Sequence, residues 1–367
     1  MNRSAIVLSL LACAAVLLAA QPRSTKPLDI YIVDPEGGKA ALFVSPSGQT
    51  LLIDSGNAPN AAGARDTDRI MAAITAAGVT RIDYLISTHY HGDHVGGMLE
   101  LAKRIPIAHF LDHGPSVEPR EQVPGFQAAY AELYGKAQHT VVKPGDKVPI
   151  TGIDWRILTS AGAAIKTPLP GGGKPNPECA TFQPKDVTGD PENGQSVGSL
   201  ITYGQFRAVD LGDLLWNREF ELMCPNNPIG TVDLYLVSHH GLDISGSPVL
   251  VHGLQPRVAV MQNSTGKGAT IQAMQTMRSS PGLEDIWQLH WGNAAGLEQN
   301  SAGVFIANVS DPATTAAVMT APPGGARGGT AAHVPAYWIK ISAEADGTFT
   351  VTNSRNNFSK TYAHRKS

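Results

Sequence analysis

The chain has 367 residues, and its 28 Lys and Arg against 31 Asp and Glu give a formal net charge of −3. This balance excludes the broad basic surface on which strong non-specific nucleic-acid binding depends. Charged residues make up only 16% of the chain, whereas glycine (38) and proline (26) are frequent, which is typical of a loop-rich globular protein rather than a disordered or coiled-coil one.

The N-terminus has the pattern of a secretory signal peptide. Arg3 supplies a positive charge, and residues 5–20 form an apolar run that is short for a membrane span and ends on small residues. We predict a signal peptide over residues 1–20, a mature tail over residues 21–28 and an exported protein, periplasmic or secreted. Lipidation at Cys13 is the less favoured alternative, because the apolar run continues for seven residues beyond it. No later run predicts a transmembrane segment.

Removal of the signal peptide leaves two cysteines, Cys179 and Cys224. In an oxidising compartment they can form a disulfide, and the alternative is two unrelated buried thiols. Neither lies in the Cys-x-x-Cys spacing of a zinc site.

Short apolar runs alternate with helix-forming segments along the chain. Strands are predicted at 30–33, 41–44, 51–53, 82–86, 138–160 (strand, hairpin and strand), 199–203, 206–211, 232–237 and 258–261, and helices at 66–77, 98–103 and 123–136. Residues 161–195 predict a long loop, and 337–341 with 348–352 predict a C-terminal hairpin. Two rounds of strands and helices predict a layered α/β architecture.

Polar side chains follow several of the apolar strands directly. These residues are Asp54, His89, Asp213, His239, His240 and Asn263. Because strand ends in layered α/β proteins meet at one rim, where sites are commonly built, we expect these side chains to converge.

The run at residues 88–94 reads Thr-His-Tyr-His-Gly-Asp-His and offers ligands for metal ions. Its imidazole and carboxylate donors suit zinc, iron or manganese better than calcium. In a turn after a strand, His89 and His91 can bind one ion. Asp93 and His94, at the start of the next helix, can reach a second ion beside it.

Residues 88–97 (Thr-His-Tyr-His-Gly-Asp-His-Val-Gly-Gly) resemble the signature of the metallo-β-lactamase superfamily. The resemblance implies an α/β fold, a four-layer αββα sandwich that here carries a C-terminal β-hairpin extension. It also implies two divalent metal ions, zinc first, with manganese and iron as alternatives. We expect a single domain over residues 29–367, with a core at 29–265 and an extension at 266–367.

The same resemblance assigns the remaining functional positions of the site. Asp54, in Leu-Leu-Ile-Asp-Ser-Gly, matches the acidic residue that orients the histidine ligands. Asp213 matches the carboxylate that bridges the two metals, and Asp210 is its competitor. His240, in His-His-Gly, matches the last ligand of the second metal, with His239 as a neighbour that contacts substrate or water, although the two can exchange roles.

One ligand position of the superfamily has no clear match in this chain. Most members supply a third histidine to the first metal. The interval holds only His109, His113 and His139, none in the usual Gly-His context. The stretch at 190–200, which contains Ser196, resembles instead the Asn/Ser stretch of the competence (DNA-uptake) protein branch. His113 is therefore a candidate third ligand, and the alternative is a loop histidine near the rim.

Four residues are candidates for substrate contact, each with a structural alternative. They are Trp216 (or rim packing), Asn263 (or a turn residue), Lys267 (or a solvated charge) and His290 (or a buried, hydrogen-bonded histidine).

The implied activity is that of an exported hydrolase in which a metal-bound hydroxide attacks a phosphodiester or phosphate ester, with Asp93 or His239 moving the proton. The substrate is then a small molecule or a phosphoester. One alternative is lactone- or β-lactam-type C–O or C–N hydrolysis, and another is a non-catalytic metal- or partner-binding domain. The complete set of metal-ligand residues argues against a non-catalytic domain. No sequence pattern indicates an oligomeric state.

Overall fold

The structure is a computed structural model that describes residues 26–118, 122–309 and 336–365. The strands are β1 (Leu28–Ile32), β2 (Ala41–Val44), β3 (Thr50–Ile53), β4 (Tyr84–Ile86), β5 (His109–Asp112), β6 (Gln138–Val141), β7 (Lys147–Val148), β8 (Asp154–Ser160), β9 (Ala163–Ala164), β10 (Lys174–Pro175), β11 (Gly198–Tyr203), β12 (Phe206–Asp210), β13 (Asn226–Asn227), β14 (Leu234–Leu236), β15 (Val258–Met261), β16 (Asp285–His290), β17 (Ile306–Asn308), β18 (Ile339–Ala343), β19 (Phe349–Asn353) and β20 (Ser359–Tyr362). The helices are α1 (Arg65–Ala76), α2 (Gly92–Val95), α3 (Met98–Arg104), α4 (Gln122–Tyr134), α5 (Trp216–Met223), α6 (Pro248–Leu254), α7 (Ile271–Arg278) and α8 (Gly296–Gln299).

Two large sheets hold most of these strands. The first has the order β20-β19-β18-β1-β2-β3-β4-β5-β6, and the second has the order β17-β16-β15-β14-β12-β11-β8-β7, with β9 paired to β8. The inner faces of the sheets pack on each other around a shared apolar core, in which Phe43 of β2 meets Trp155 of β8 edge to face at 4.9 Å between ring centroids.

Helices cover the outer face of each sheet. Ile70 and Ile74 of α1, Leu101 of α3 and Tyr130 of α4 pack on the first sheet. Residues of α5, α6 and α7 pack on the second. The result is the four-layer αββα sandwich that the superfamily resemblance implied. Helix α1 ends at Ala76, and Gly78 terminates it two residues later as expected, because glycine accommodates the φ of +66° found there.

The predicted C-terminal hairpin is present as β18 and β19, and it continues into β20. It is built into the first sheet, since β18 pairs antiparallel with β1, with Ile30 opposite Ile341. Strands β16 and β17 likewise lie in the second sheet. Leu28, placed at the end of the predicted tail, is already buried in β1.

Cys179 and Cys224 form a disulfide with 5.8 Å between their Cα atoms. It ties the long segment at 161–195 to the end of α5. The predicted signal peptide and Cys13 lie outside the described residues. Across the described ranges, no helix has the length and apolar character needed to cross a membrane.

The parallel pairing of strands within each sheet determines where the site lies. Strands β3, β4 and β5 run parallel in the first sheet, and β12, β14, β15 and β16 run parallel in the second. The carboxyl ends of each set therefore meet at one rim, where the chain presents its polar residues.

Candidate metal centre

The histidine run begins where β4 ends, and Asp54 from the end of β3 fixes it. The Thr88 backbone N–H and Oγ1 donate to the Asp54 carboxylate at 2.8 and 2.7 Å. His94 Nδ1 donates to the same carboxylate at 2.8 Å, and both side chains are fully buried. Because its Nδ1 carries the shared proton, His94 presents Nε2 to the rim. This is the orienting contact expected of Asp54.

Three side chains converge on His94 Nε2, and we call Asp93, His94, Asp213 and His240 the His94 cluster. His94 Nε2 lies 3.2 Å from Asp213 Oδ2, 3.5 Å from Asp93 Oδ2 and 3.3 Å from His240 Nε2. His240 Nε2 lies 3.4 Å from each of the two carboxylates. The four residues come from α2, from the turn after β12 and from the turn after β14, so both sheets contribute.

The donors of this site fit a divalent metal ion. Within the described part of the chain, His89 Nε2 and Asp213 Oδ1 are buried without a hydrogen-bond partner. Such atoms are costly in a folded protein unless a ligand or ion satisfies them. Ligand atoms of His89, His94 and Asp213 lie within 4.8 Å of one another, as do those of Asp93, His94 and His240. Burial and the neighbouring His94 hold the pKa of His89 well below its usual range, so the ring is neutral, as ligation requires.

The carboxylates of the cluster stabilise a positive charge at the rim; without an ion this charge is the second ring proton of His94, which a metal ion would displace. Burial opposes a charge on His94, but three neighbouring carboxylates outweigh it and raise the pKa of this histidine to about 10. Burial alone would favour neutral Asp93, yet Lys267 and His94 hold the pKa of its carboxyl well below its usual range. Asp213 is likewise kept ionised, because His94 and the adjacent histidines lower its pKa against the effect of burial. The rim is thus arranged to attract positive charge.

His239 and His240 occupy consecutive left-handed conformations, with φ values of +52° and +57°. Such a pair is unusual for non-glycine residues and is held by its surroundings. His239 N–H donates to the Gly212 carbonyl, and the His240 carbonyl accepts from Ala269 N–H. The two rings therefore separate. His240 joins the His94 cluster, whereas His239 Nδ1 lies 3.1 Å from Ser245 Oγ and its Nε2 lies 3.5 Å from Asp213 Oδ2.

His91 does not share the ligand group of His89. The two rings pack at 4.5 Å between centroids, but His91 Nε2 is 2.9 Å from Glu118 Oε2 and 3.4 Å from Asp190 Oδ1. We call His91, Glu118 and Asp190 the His91 set. Their ligand atoms also lie within 4.8 Å of one another.

His113 and Ser196 lie next to the centre without joining the His94 cluster. His113 Nε2 donates to Glu192 Oε1 at 2.8 Å, and its ring meets Tyr90 edge to face. The hydroxyl of Ser196 accepts the Asp213 backbone N–H at 3.2 Å and so supports the turn that carries this carboxylate.

Asp210, the competitor of Asp213, is occupied elsewhere, because it forms a buried ion pair with Lys39 at 2.7 Å. The other proposed substrate contacts also have partners within the fold. Trp216 Nε1 donates to the Gln183 carbonyl, and Asn263 Nδ2 donates to the His290 carbonyl. His290 Nε2 donates to Asp34 at 2.7 Å.

Lys267 is the substrate-contact candidate that reaches the centre. Its Nζ lies 2.5 Å from Asp93 Oδ2, and its side chain is about one third exposed. The loop beneath it is held in place, because Gly268 packs so closely on the His240 carbonyl that a Cβ there would clash. An ammonium group therefore stands at the mouth of the site.

Three residues with evident roles here lie outside the site predicted from sequence: Glu118, Asp190 and Glu192. Asp190 and Glu192 fall in the stretch noted for its Asn and Ser residues. Glu118 belongs to no sequence motif, and only the tertiary fold brings it close to His91.

Comparisons with known proteins agree with this reading. The sequence model of the metallo-beta-lactamase superfamily matches residues 34–176. This part of the chain, which holds Asp54 and the histidine run, is therefore similar to the metallo-β-lactamase superfamily, in agreement with the motifs.

Individual relatives are more distant. A hydroxyacylglutathione hydrolase of Synechococcus sp. is 29% identical over 97 residues, 26% of this chain and 31% of that protein. Competence protein ComA of Neisseria gonorrhoeae is 22% identical over 224 residues, 61% of this chain and 25% of ComA. The matches thus span less than a third of these relatives' lengths. A solved metal-dependent hydrolase of the beta-lactamase superfamily has 13% identity and a TM-score of 0.41, covering 72% of this chain and 97% of its own.

Proposed function

We propose that the protein is an exported metal-dependent hydrolase that cleaves phosphodiester or phosphate-ester bonds. The observation that carries the proposal is the convergence of Asp93, His94, Asp213 and His240 beside two buried polar atoms, His89 Nε2 and Asp213 Oδ1, that have no partner among the described residues. This donor arrangement suits zinc, and manganese or iron are the alternatives.

The residues that would hold an ion at the His94 cluster are His89, His94, Asp93, Asp213 and His240. A divalent ion bound there polarises a substrate oxygen and makes water a better nucleophile near neutral pH. The chain's own contribution is to fix the ligands. Asp54 sets the tautomer of His94, and the left-handed turn holds the ring of His240 against the cluster.

We assign proton transfer to a residue at the edge of the His94 cluster. Burial lowers the pKa of His239 to about 4, so its imidazole is neutral at neutral pH, and its Nε2 lies 3.5 Å from Asp213 Oδ2. Asp93 is less suited to accept a proton, because Lys267 and His94 stabilise its charged form. Of the two residues expected to move the proton, we therefore favour His239.

The position of Lys267 favours an anionic substrate. Its ammonium group stands beside Asp93 at the partly exposed mouth of the centre, where it can donate to a phosphate or carboxylate oxygen. The weak similarity to ComA is consistent with the resemblance of the Asn/Ser stretch at 190–200 to the competence-protein branch. The similarity to a hydroxyacylglutathione hydrolase favours a second candidate, attack on a carbonyl carbon, which is also the reaction of the lactone- and β-lactam-type hydrolysis considered above.

Export is supported by the N-terminal apolar run and by the paired cysteines. Disulfides persist in oxidising compartments and are rare in reducing ones. We therefore propose that the mature protein begins after residue 20 and works in the periplasm or outside the cell.

The test combines metal content with substrate turnover. The mature protein should contain about two metal ions per chain by mass spectrometry and hydrolyse bis-p-nitrophenyl phosphate faster than a lactone or nitrocefin. Asp213→Asn should abolish turnover, whereas Asp83→Asn, a buried carboxylate outside the site, should retain it. Faster lactone hydrolysis would favour the second candidate. Metal binding without turnover of any substrate would indicate a binding domain.

A further inference from the structure

The His91 set joins three loops that lie far apart in the chain. His91 follows β4, Glu118 follows β5, and Asp190 lies in the long segment before β11. The Glu118 side chain is 2% exposed and that of His91 is 12% exposed, so a carboxylate and an imidazole are brought together out of water. Asp190 completes the group from the more open side, with its side chain 30% exposed.

Glu192 holds these loops together. Its Oε1 accepts from Tyr90 N–H at 2.9 Å and from His113 Nε2 at 2.8 Å. Its Oε2 accepts from Ser116 Oγ at 2.9 Å and from Val117 N–H at 2.8 Å.

The anchoring contacts of Glu192 lie one or two residues from each member of the His91 set. Tyr90 precedes His91, Val117 precedes Glu118, and Glu192 itself follows Asp190 by two positions. Such an arrangement positions three donors from separate loops and leaves their ligand atoms facing one another.

One further atom beside the set points to a ligand. Asn193 is fully buried and donates from Nδ2 to Asp190 Oδ2 at 2.8 Å, while its own Oδ1 is without a partner among the residues described. An amide oxygen is an acceptor, as expected next to a cation.

We propose that His91, Glu118 and Asp190 bind one divalent metal ion, so that two carboxylates stand where the superfamily resemblance implies His89 and a third histidine. The inference rests on the proposed metal-dependent hydrolase and specifies its first metal position. With one imidazole and two carboxylates, this position discriminates less strongly in favour of Zn²⁺ over Mn²⁺ than the His94 cluster, which has two imidazoles.

Manganese itself is a suitable probe, because free Mn²⁺ gives an electron paramagnetic resonance signal that is lost on binding. The chelator-stripped mature protein should take up two Mn²⁺ per chain. Glu118→Gln and Asp190→Asn should each weaken one of the two sites by roughly tenfold or more and leave the other unchanged. Glu132→Gln, an exposed carboxylate on α4, is the matched control and should behave as wild type.

The outcomes separate this inference from the proposed function. Two sites of unaltered affinity in both variants would overturn the inference and leave the hydrolase assignment intact. A wild-type protein that binds no Mn²⁺ and no Zn²⁺ would overturn both. The two substitutions lie on different loops and keep side-chain shape, and circular dichroism identifies a variant that fails to fold, so that the other then carries the test.

Discussion

Replacing Asp54 by Asn would reverse the proton arrangement of His94. The carboxylate accepts from Thr88 N–H, Thr88 Oγ1 and His94 Nδ1. An amide group at the second oxygen position would donate to His94 Nδ1, which places the remaining ring proton on Nε2, the atom that faces the cluster. The backbone should be unaffected, because Asn tolerates the φ of +58° at this position.

The expected loss of metal affinity follows from these contacts. The variant keeps the Thr88 backbone contact but loses the charge-assisted bond to His94, which is worth about 1.5–3 kcal/mol. Partners of this kind typically contribute about 10- to 100-fold to metal affinity, about 1.4–2.7 kcal/mol. We expect Zn²⁺ affinity at the His94 cluster to fall by that factor while the number of sites stays the same.

Competition with a chromophoric chelator measures this affinity on the stripped protein. Asp83→Asn is the matched control, because Asp83 is also buried and accepts from the backbone N–H and Oγ1 of a threonine, Thr50, at the opposite end of the strands. Wild-type Zn²⁺ affinity in Asp54→Asn, or an equal loss in both variants, would refute the reasoning.

Three further outcomes are expected. Lys267→Met should raise KM for bis-p-nitrophenyl phosphate about tenfold and leave KM for a neutral ester unchanged, since it removes one charge-assisted hydrogen bond; equal effects on both substrates would contradict this role. Replacing Cys179 and Cys224 by Ser should lower the free energy of unfolding by about 4 kcal/mol, because the disulfide closes a loop of 45 residues; an unchanged urea midpoint would argue against it. Burial raises the pKa of Glu219 to about 7 despite the Gly246 and Ser247 N–H groups that donate to it, so the folded state holds this proton more tightly than the unfolded state. This proton contributes at most about 3 kcal/mol to the free energy of unfolding, fully below pH 4.5 and no longer once the pH has risen through 7. Urea titrations at several pH values should therefore show a smaller loss of stability with rising pH in Glu219→Gln than in the wild type.

The parts of the site that the sequence predicted are those set by local chemistry. Asp54, His89, Asp213 and His240 each follow an apolar strand, and parallel pairing brings such positions to one rim. Strand ends can be read from composition, so this convergence was predictable. The layered fold followed from the same order of strands and helices.

The orientation of His91 was not predictable, because its partners come from loops fixed only by tertiary contacts. Glu118 has no motif, and Asp190 gains its place through Glu192. Likewise Asn263 and His290 follow strands but hydrogen-bond within the fold, a choice that side-chain type alone does not reveal.

Several short helices also lacked a sequence signal. Helices α5, α6 and α7 have only seven or eight residues each, about two turns, which is too short for a clear apolar periodicity. They form because the second sheet offers an apolar face to cover. Their caps are nonetheless local, since Ser247 and Thr270 each accept a backbone N–H at a helix start.

The pairing of β1 with β18 has a consequence for how the chain folds. The first strand of the fold acquires this neighbour only after more than 300 further residues have been made, since Ile30 lies opposite Ile341. Until then the edge of β1 that β18 will cover is open to pairing with other chains. Folding of the first sheet therefore waits on the end of the chain, and a protein truncated after β17 should aggregate even though every proposed metal ligand is present.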